Sequence, residues 1–470
     1  MAIKAGKVVT LGNGFLVERG QNVGAGNLNI PTERIQETGN ELAVSVERDI
    51  PDLSFDIESL DATIDTEAML CDVDPGTLND GDILSFLDAK NIDVVAPFKG
   101  AGTSKVTDGG VIWPYLTLAS ASYRFGVGTQ GASQTFTLQG DSQYSSPNTP
   151  YRQEFAGTGA TSEYAFTNNA VKTVELGDDV YAVGVCVYLA DGTCVRLFHG
   201  ADYNDSATGV TLVDGSKAPI GSTLAVCYFS ATTATFAQTI HSTPSVKPGK
   251  VKGRYINLMV GIAQTFQVNG STTNADATLG GSGFYAGLVG ALVTGTGIPA
   301  GTKILSYTSP TSVELTNNAT ATGTPVVTIV PPLLRWDGVQ QVELNWRVTL
   351  DYDDELGNAH HVAADYDIPD LSGTITLRPL SNQRLWTKIA QVTGTAPTEV
   401  ANLLSETTLE LQVRLQSPST GDVIKTLRTP DAKILPPGVN YRAGQKTEPQ
   451  FTWTSESGEL QIIKGLPAYA

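Results

Sequence analysis

The residues able to do chemistry are few. Histidine occurs four times, as His199, His241, His360 and His361. Imidazole is the commonest metal ligand and a general base near neutral pH, but no two of these have the helical spacing and intervening glutamate of a zinc-protease helix. His360 and His361 are adjacent, and adjacent side chains of an extended segment point to opposite faces, so they cannot chelate as a unit. Asp351-Tyr352-Asp353-Asp354-Glu355 offers carboxylates without the spaced oxygens or central glycine of a calcium loop. It reads as a solvated acidic hairpin turn. Gly126, Gly128 and Gly131 match Gly-x-Gly-x-x-Gly. A dinucleotide site needs that motif to open a helix, whose N-terminus holds the pyrophosphate. Here Ser133-Gln134-Thr135-Phe136-Thr137-Leu138 follows and alternates like a strand. No Gly-x-Ser-x-Gly elbow is present. These residues predict no enzyme, no bound metal and no cofactor.

The cysteines are Cys71, Cys186, Cys194 and Cys227. Asp191-Gly192, between the middle two, is a two-residue hairpin turn signal. That register sets Cys194 opposite Leu189, on the other face from Cys186. A bridge would need a different register, so all four are expected to be reduced small hydrophobes.

With 470 residues the chain has room for two to four domains. Hydrophobic residues make up 41% and charged residues 17%, enough for packed cores and unlike a disordered chain. Short Thr/Val/Ser runs between Gly, Asn and Asp read as mainly β. The net charge of −18 argues against a phosphate-gripping nucleic-acid binder and against adhesion to an anionic membrane. No run is long and apolar enough to span a membrane, and Met1-Ala2-Ile3-Lys4 leads into no apolar signal core, so the expectation is synthesis in the cytoplasm without a signal peptide.

The elements are organised around a repeat. Asp49-Ile50-Pro51-Asp52-Leu53-Ser54 returns unchanged as Asp367-Ile368-Pro369-Asp370-Leu371-Ser372, with Ile57 and Ile375 still in register beyond it. Self-similarity at a long offset marks a duplicated unit. Each copy follows an alternating strand-like run, Glu41–Arg48 or Val342–Leu350. Each precedes an expected short helix, opening near Asp61 or Thr63 in the first half and at Ser381 in the second, where a side-chain oxygen can satisfy a free N–H. The order strand, turn, strand, short helix, long strands then recurs. The reading is a first unit over 1–155, a β-sandwich insertion with linker over 156–245, a second unit over 246–268 and 331–470, and a small β insertion over 269–330. Cys186–Cys194 falls in the first insertion, and the acidic run Asp72–Asp82 in a loop of the first unit.

The stretch Glu33–Asp61, centred on the first hexamer, resembles the tail tube (major tail) proteins of tailed bacteriophages. Tyr123–Asp141 is similar to the strand pair near the end of such a domain, and Gly295–Ile304 resembles small β repeats of phage structural proteins. Residues 156–245 carry no such resemblance. The resemblance implies two tail-tube-like β-barrel or sandwich domains, each with a short helix, and assembly into stacked rings around a channel. It implies a virion tail, assembled in the cytoplasm of a host bacterium. The partners would be further copies of the chain, the tape measure, the tail terminator, baseplate or tip proteins, and genomic DNA in transit without tight binding. Members of the family typically carry one domain and form six-membered rings, so two domains per chain imply rings of three chains with pseudo-sixfold symmetry. The insertions are expected on the outside of the tube and the lumen is expected to be acidic. Two other classes compete: a capsid decoration or receptor-binding fibre, of which the fibre would show many short tandem repeats, and a polysaccharide depolymerase, which would need paired carboxylates in a groove.

Overall fold

The computed structural model describes residues 50–60, 62–99, 107–127, 131–160, 163–175, 178–191, 193–230, 251–262, 265–336, 338–353, 360–378, 408–435 and 450–467, with the backbone of short strands between residues 4 and 48. The protein is mainly β, as the alternating runs predict. Contacts divide it into two units. One is Met1–Ser122, Ser133–Pro248 and Arg347–Pro369; the other is Tyr123–Ala132, Gly249–Trp346 and Asp370–Ala470. Residues 347–369, expected in the second unit, thus make their contacts in the first.

The two units share one strand order. In the first, antiparallel neighbours run Phe15–Leu16, Thr10–Leu11, Ile92–Lys99, Thr107–Gly126, Tyr144–Ser146. In the second they run Leu334–Arg335, Ile256–Ile262, Leu409–Gln416, Val423–Ile434, Gln461–Lys464. Beside these, Leu53–Ser59 pairs with Ala132–Gly140, and Asp370–Leu377 pairs with Gln450–Ser455. The corresponding strands also follow one another in the same chain order. The duplication read from a hexamer is therefore a duplication of topology.

The repeated hexamer opens equivalent strands. Along Leu53–Ser59 every second residue is buried, and the same alternation runs from Leu371 to Leu377, as a one-sided sheet demands. Ile57 lies opposite Phe136, and Ile375 lies opposite Phe451. The next inward pair exchanges volume between partners. Phe55 faces Leu138 in the first unit, while Gly373 faces Trp453 in the second. A Cβ on Gly373 would collide with the Glu343 carbonyl oxygen and stand 2.7 Å from the Trp453 ring. The indole occupies the space a side chain there would need.

The helix of the first unit spans Asp65–Leu70, later than expected. Thr63 is nevertheless its acceptor: its Oγ1 receives the Asp65 N–H at 3.4 Å, while Ile64 is the N-cap residue and contributes no side-chain bond. The counterpart expected at Ser381 lies outside the described residues.

Both insertions are sandwiches with cores of their own. In the first, the sheet Thr149–Ala156, Thr223–Ser230, Ala182–Tyr188, Cys194–Leu197 faces Glu163–Ala165, Gly209–Leu212, Tyr203–Ser206. The two sheets enclose Tyr151, Tyr164, Val185, Val210, Val226 and Tyr228. Its first strand, expected in the first unit, pairs with Thr223–Ser230 along its whole length, so the sheet begins at Thr149 rather than near 156. In the second, Phe266–Asn269, Val326–Val330, Leu292–Gly295 faces Ser271–Thr272, Thr278–Gly280, Ser312–Leu315, Ile304–Ser309 around Leu279, Val293, Val313 and Ile329. This second insertion lies between Ile256–Ile262 and Leu334–Arg335. The equivalent strands of the first unit, Thr10–Leu11 and Phe15–Leu16, are separated only by Gly12, Asn13 and Gly14. Tolerated insertions occupy such connections.

The Gly373–Trp453 fit gives a direct test. Gly373→Ala overpacks a rigid site and is expected to cost about 2 kcal/mol, read as a lowered urea midpoint with an unchanged slope. An unchanged midpoint would show that the close approach is not a constraint.

Candidate functional site

The hexamer residues, first candidates for an assembly motif, divide by burial. Leu53 and Leu371 are 2% and 0% exposed and belong to the cores. Asp52, Ser54, Asp367 and Asp370 are exposed, Ile50, Pro51, Pro369 and Ser372 are half-buried, and Ile368 is 81% exposed. Asp367 Oδ1 accepts the Ile368 N–H at 2.7 Å. Asp49 lies outside the described residues. The motif therefore sets where a strand begins, and Ile368 and the aspartates leave polar and apolar surface beside it.

The residues that seemed able to do chemistry are used otherwise. Gly126 ends a strand, its N–H donates to the Gly131 carbonyl at 3.2 Å, Gly131 has φ of 63°, and a strand follows rather than a helix. Gly128 is outside the described residues. Asp351 and Asp353 lie on the strand Leu350–Asp353, and Asp354 and Glu355 are outside the described residues. His199 contacts Asp205 at 3.3 Å, and His241 is outside the described residues. Among the described residues no group of three His, Cys, Asp or Glu side chains could hold a metal.

A serine, a histidine and an aspartate do meet in the first unit. Ser142 Oγ lies 3.1 Å from His360 Nδ1, and Asp141 Oδ2 lies 3.4 Å from that same nitrogen. A hydrolytic triad needs the serine on one ring nitrogen and the carboxylate on the other; sharing Nδ1 makes a relay impossible. Ser142 is moreover 3% exposed. His361 stacks on Tyr352 with centroids 4.1 Å apart and donates its backbone N–H to Asp141 at 3.0 Å.

This cluster fastens the first insertion to the strands beneath it. Arg196, on the insertion strand Cys194–Leu197, donates from Nη1 to Asp141 Oδ2 at 2.7 Å and from Nη2 to Ser142 Oγ at 3.1 Å. Burial pushes the Asp141 carboxyl up, but Arg196 and His360 outweigh it and hold the group well below the usual carboxylate range. A second clamp repeats the chemistry. Arg152, on the insertion strand Thr149–Ala156, donates from Nε to Asp93 Oδ2 at 2.8 Å. The other Asp93 oxygen accepts the Tyr115 N–H at 2.9 Å. Burial opposes the Arg152 charge, while Tyr188, Asp93 and Glu154 hold its affinity for the proton well above the ordinary value. Ile112, Val180, Val183, Cys227 and Phe229 form a separate buried apolar cluster. Neither clamp is visible in sequence, because the partners lie 59 and 55 positions apart with no local pattern to connect them.

The cysteines correct one expectation. Tyr188, not Leu189, lies opposite Cys194, because the Leu189 N–H closes a longer loop onto the Thr193 carbonyl at 2.8 Å. A one-residue slip exchanges faces, so Cys186 and Cys194 share a face rather than opposing ones. All four cysteines are free thiols, and the Cys194 thiol together with burial pushes the Cys186 thiol well up.

The second unit carries a cleft of about 510 Å³ lined by Phe125, Val127, Lys252, Arg254, Arg335 and Trp336, among others. No carboxylate lines it among the described residues. Two buried polar atoms in its walls, Trp336 Nε1 and Asn257 Oδ1, have no hydrogen-bond partner.

The Asp141 clamp sets a pH dependence. Its carboxyl has an ordinary value of 3.8 and a lower one in the fold, so its contribution is complete above about pH 4 and is lost as pH falls further. Asp141→Asn is expected to cost about 3 kcal/mol near neutral pH and to flatten the acid loss of stability, measured by chemical denaturation across pH; an acid limb as steep as in the native protein would contradict the assignment. No protein-family model matches the chain, and no curated protein matches it.

Proposed function

We propose that this protein is a structural subunit of a phage-type tail tube, polymerising as stacked rings that conduct DNA. The observation that carries the reading is the duplicated strand order with Ile57–Phe136 and Ile375–Phe451 in matched positions. Rings arise when head-to-tail contacts close. Two copies of one unit in a single chain supply both partners of such a contact, and the tether raises their effective concentration to roughly millimolar. The net charge of −18 suits a wall past which DNA must move without being held by counterion release. The same reading makes tape measure, terminator and baseplate or tip proteins its partners, and the virion tail its location.

Electron microscopy of the purified full chain is expected to show hollow tubes or rings. The second insertion sits in a connection that is three residues long in the first unit, so replacing 263–333 by Gly-Asn-Gly is expected to leave those assemblies intact, with a thinner outer wall. A native protein that remains monomeric at high concentration would overturn the reading. A folded replacement variant that no longer forms rings would overturn the outward placement of the insertion.

A further inference from the structure

The cleft of the second unit is anomalous in so acidic a chain. It gathers Lys252, Arg254 and Arg335, all exposed, beside the apolar Phe125, Val127 and Leu258. Val127 is 53% exposed. A mixed surface of this kind, apolar at the centre and charged at the rim, is how protein interfaces are composed. Its chemistry calls for an acidic, partly apolar partner segment.

The first unit presents one. Residues 72–88 carry Asp72, Asp74, Asp80, Asp82 and Asp88 around Ile83 and Leu87. Lys90 lies 3.8 Å from Asp72, which leaves an acidic excess. Ile83 and Leu87 are 52% and 54% exposed, unusual for large aliphatic side chains flanked by carboxylates. The segment is held in shape from within. Asp74 accepts the Gly76 N–H at 2.8 Å, Asp82 accepts the Asn79 N–H at 2.7 Å, and Ser85 Oγ accepts the Leu87 N–H at 3.2 Å. A segment already ordered loses little conformational entropy on docking.

We propose that the Lys252–Arg254–Arg335 cleft docks the acidic segment around Asp80, Ile83 and Leu87 of a second copy of the chain. The contact joins one patch of a subunit to a different patch of its neighbour, and in the ring reading it is the head-to-tail contact that closes a ring or extends a stack. A carboxylate reaching the back of the cleft would supply the acceptor that the Trp336 indole N–H lacks, and the cations steer the encounter. The inference rests on the self-assembly reading above but names its contact.

The test is charge exchange in the full chain, with assembly followed by sedimentation velocity and electron microscopy. The cleft variant Lys252→Glu/Arg254→Glu and the loop variant Asp80→Lys/Asp82→Lys are each expected to weaken self-association at least about tenfold. Their combination is expected to recover most of the loss, which a merely structural role for either set would not do. Native self-association should also weaken as salt rises from low to molar concentration, a readout that needs no variant to fold. If native tubes form and the single-site reversals leave them unchanged, or the combination is no better than either set, this contact is wrong and the tube reading stands. If the native chain does not self-associate, both fail.

Discussion

Two strand pairs bear the architecture. Leu53–Ser59 must lie against Ala132–Gly140, and Asp370–Leu377 against Gln450–Ser455, each with every second side chain turned into a core. The side-chain period of a strand is two, so a slip of one residue would turn the buried set of either pair to solvent. Ile opposite Phe is kept in both units, whereas the neighbouring position changes from Phe55 against Leu138 to Gly373 against Trp453. In the second unit the repeat strand gives up its side chain at this position and the partner strand fills the space with an indole. Trp113 stands 5.0 Å from Phe55 in an edge-to-face contact, and Trp336 stands 5.7 Å from Phe451, so each unit backs its pair with an indole.

The insertions attach to this scaffold by different physics. The second is joined through its connecting strands and closes around its own apolar core. The first adds Asp93–Arg152 and Asp141–Arg196 beneath its sheet. A buried ion pair adds little net stability over apolar packing, because desolvation consumes most of the attraction, but losing one partner strands a charge. Such pairs are better suited to fixing one orientation than to raising stability. They tie the insertion sheet to the strands of its unit.

How much of this was legible in the sequence varies with the range of the interaction. The hexamer announced the duplication, and alternating hydrophobicity located most of the long strands, because both signals are local. The partner strands were harder. Phe136-Thr137 and Phe451-Thr452 are the matching pair opposite the repeat, but two identical residues carry no signal until the pairing is known. The Cys194 register was misread because Asp191-Gly192 implies the tighter turn, and a single extra loop residue exchanges faces. The Arg–Asp clamps and the basic cleft unite residues from distant segments, and nothing in the sequence marks them.

On the proposed tube reading, a chain that holds two copies of the unit completes a ring with half the subunits that a single-unit chain would need. The mass of isolated rings tests that most directly. Mass photometry of rings released from tubes is expected to give three chains of 49.6 kDa, with pseudo-sixfold symmetry in averaged end views. Rings of six chains would contradict the account, because the duplicated unit would then not replace a dimer.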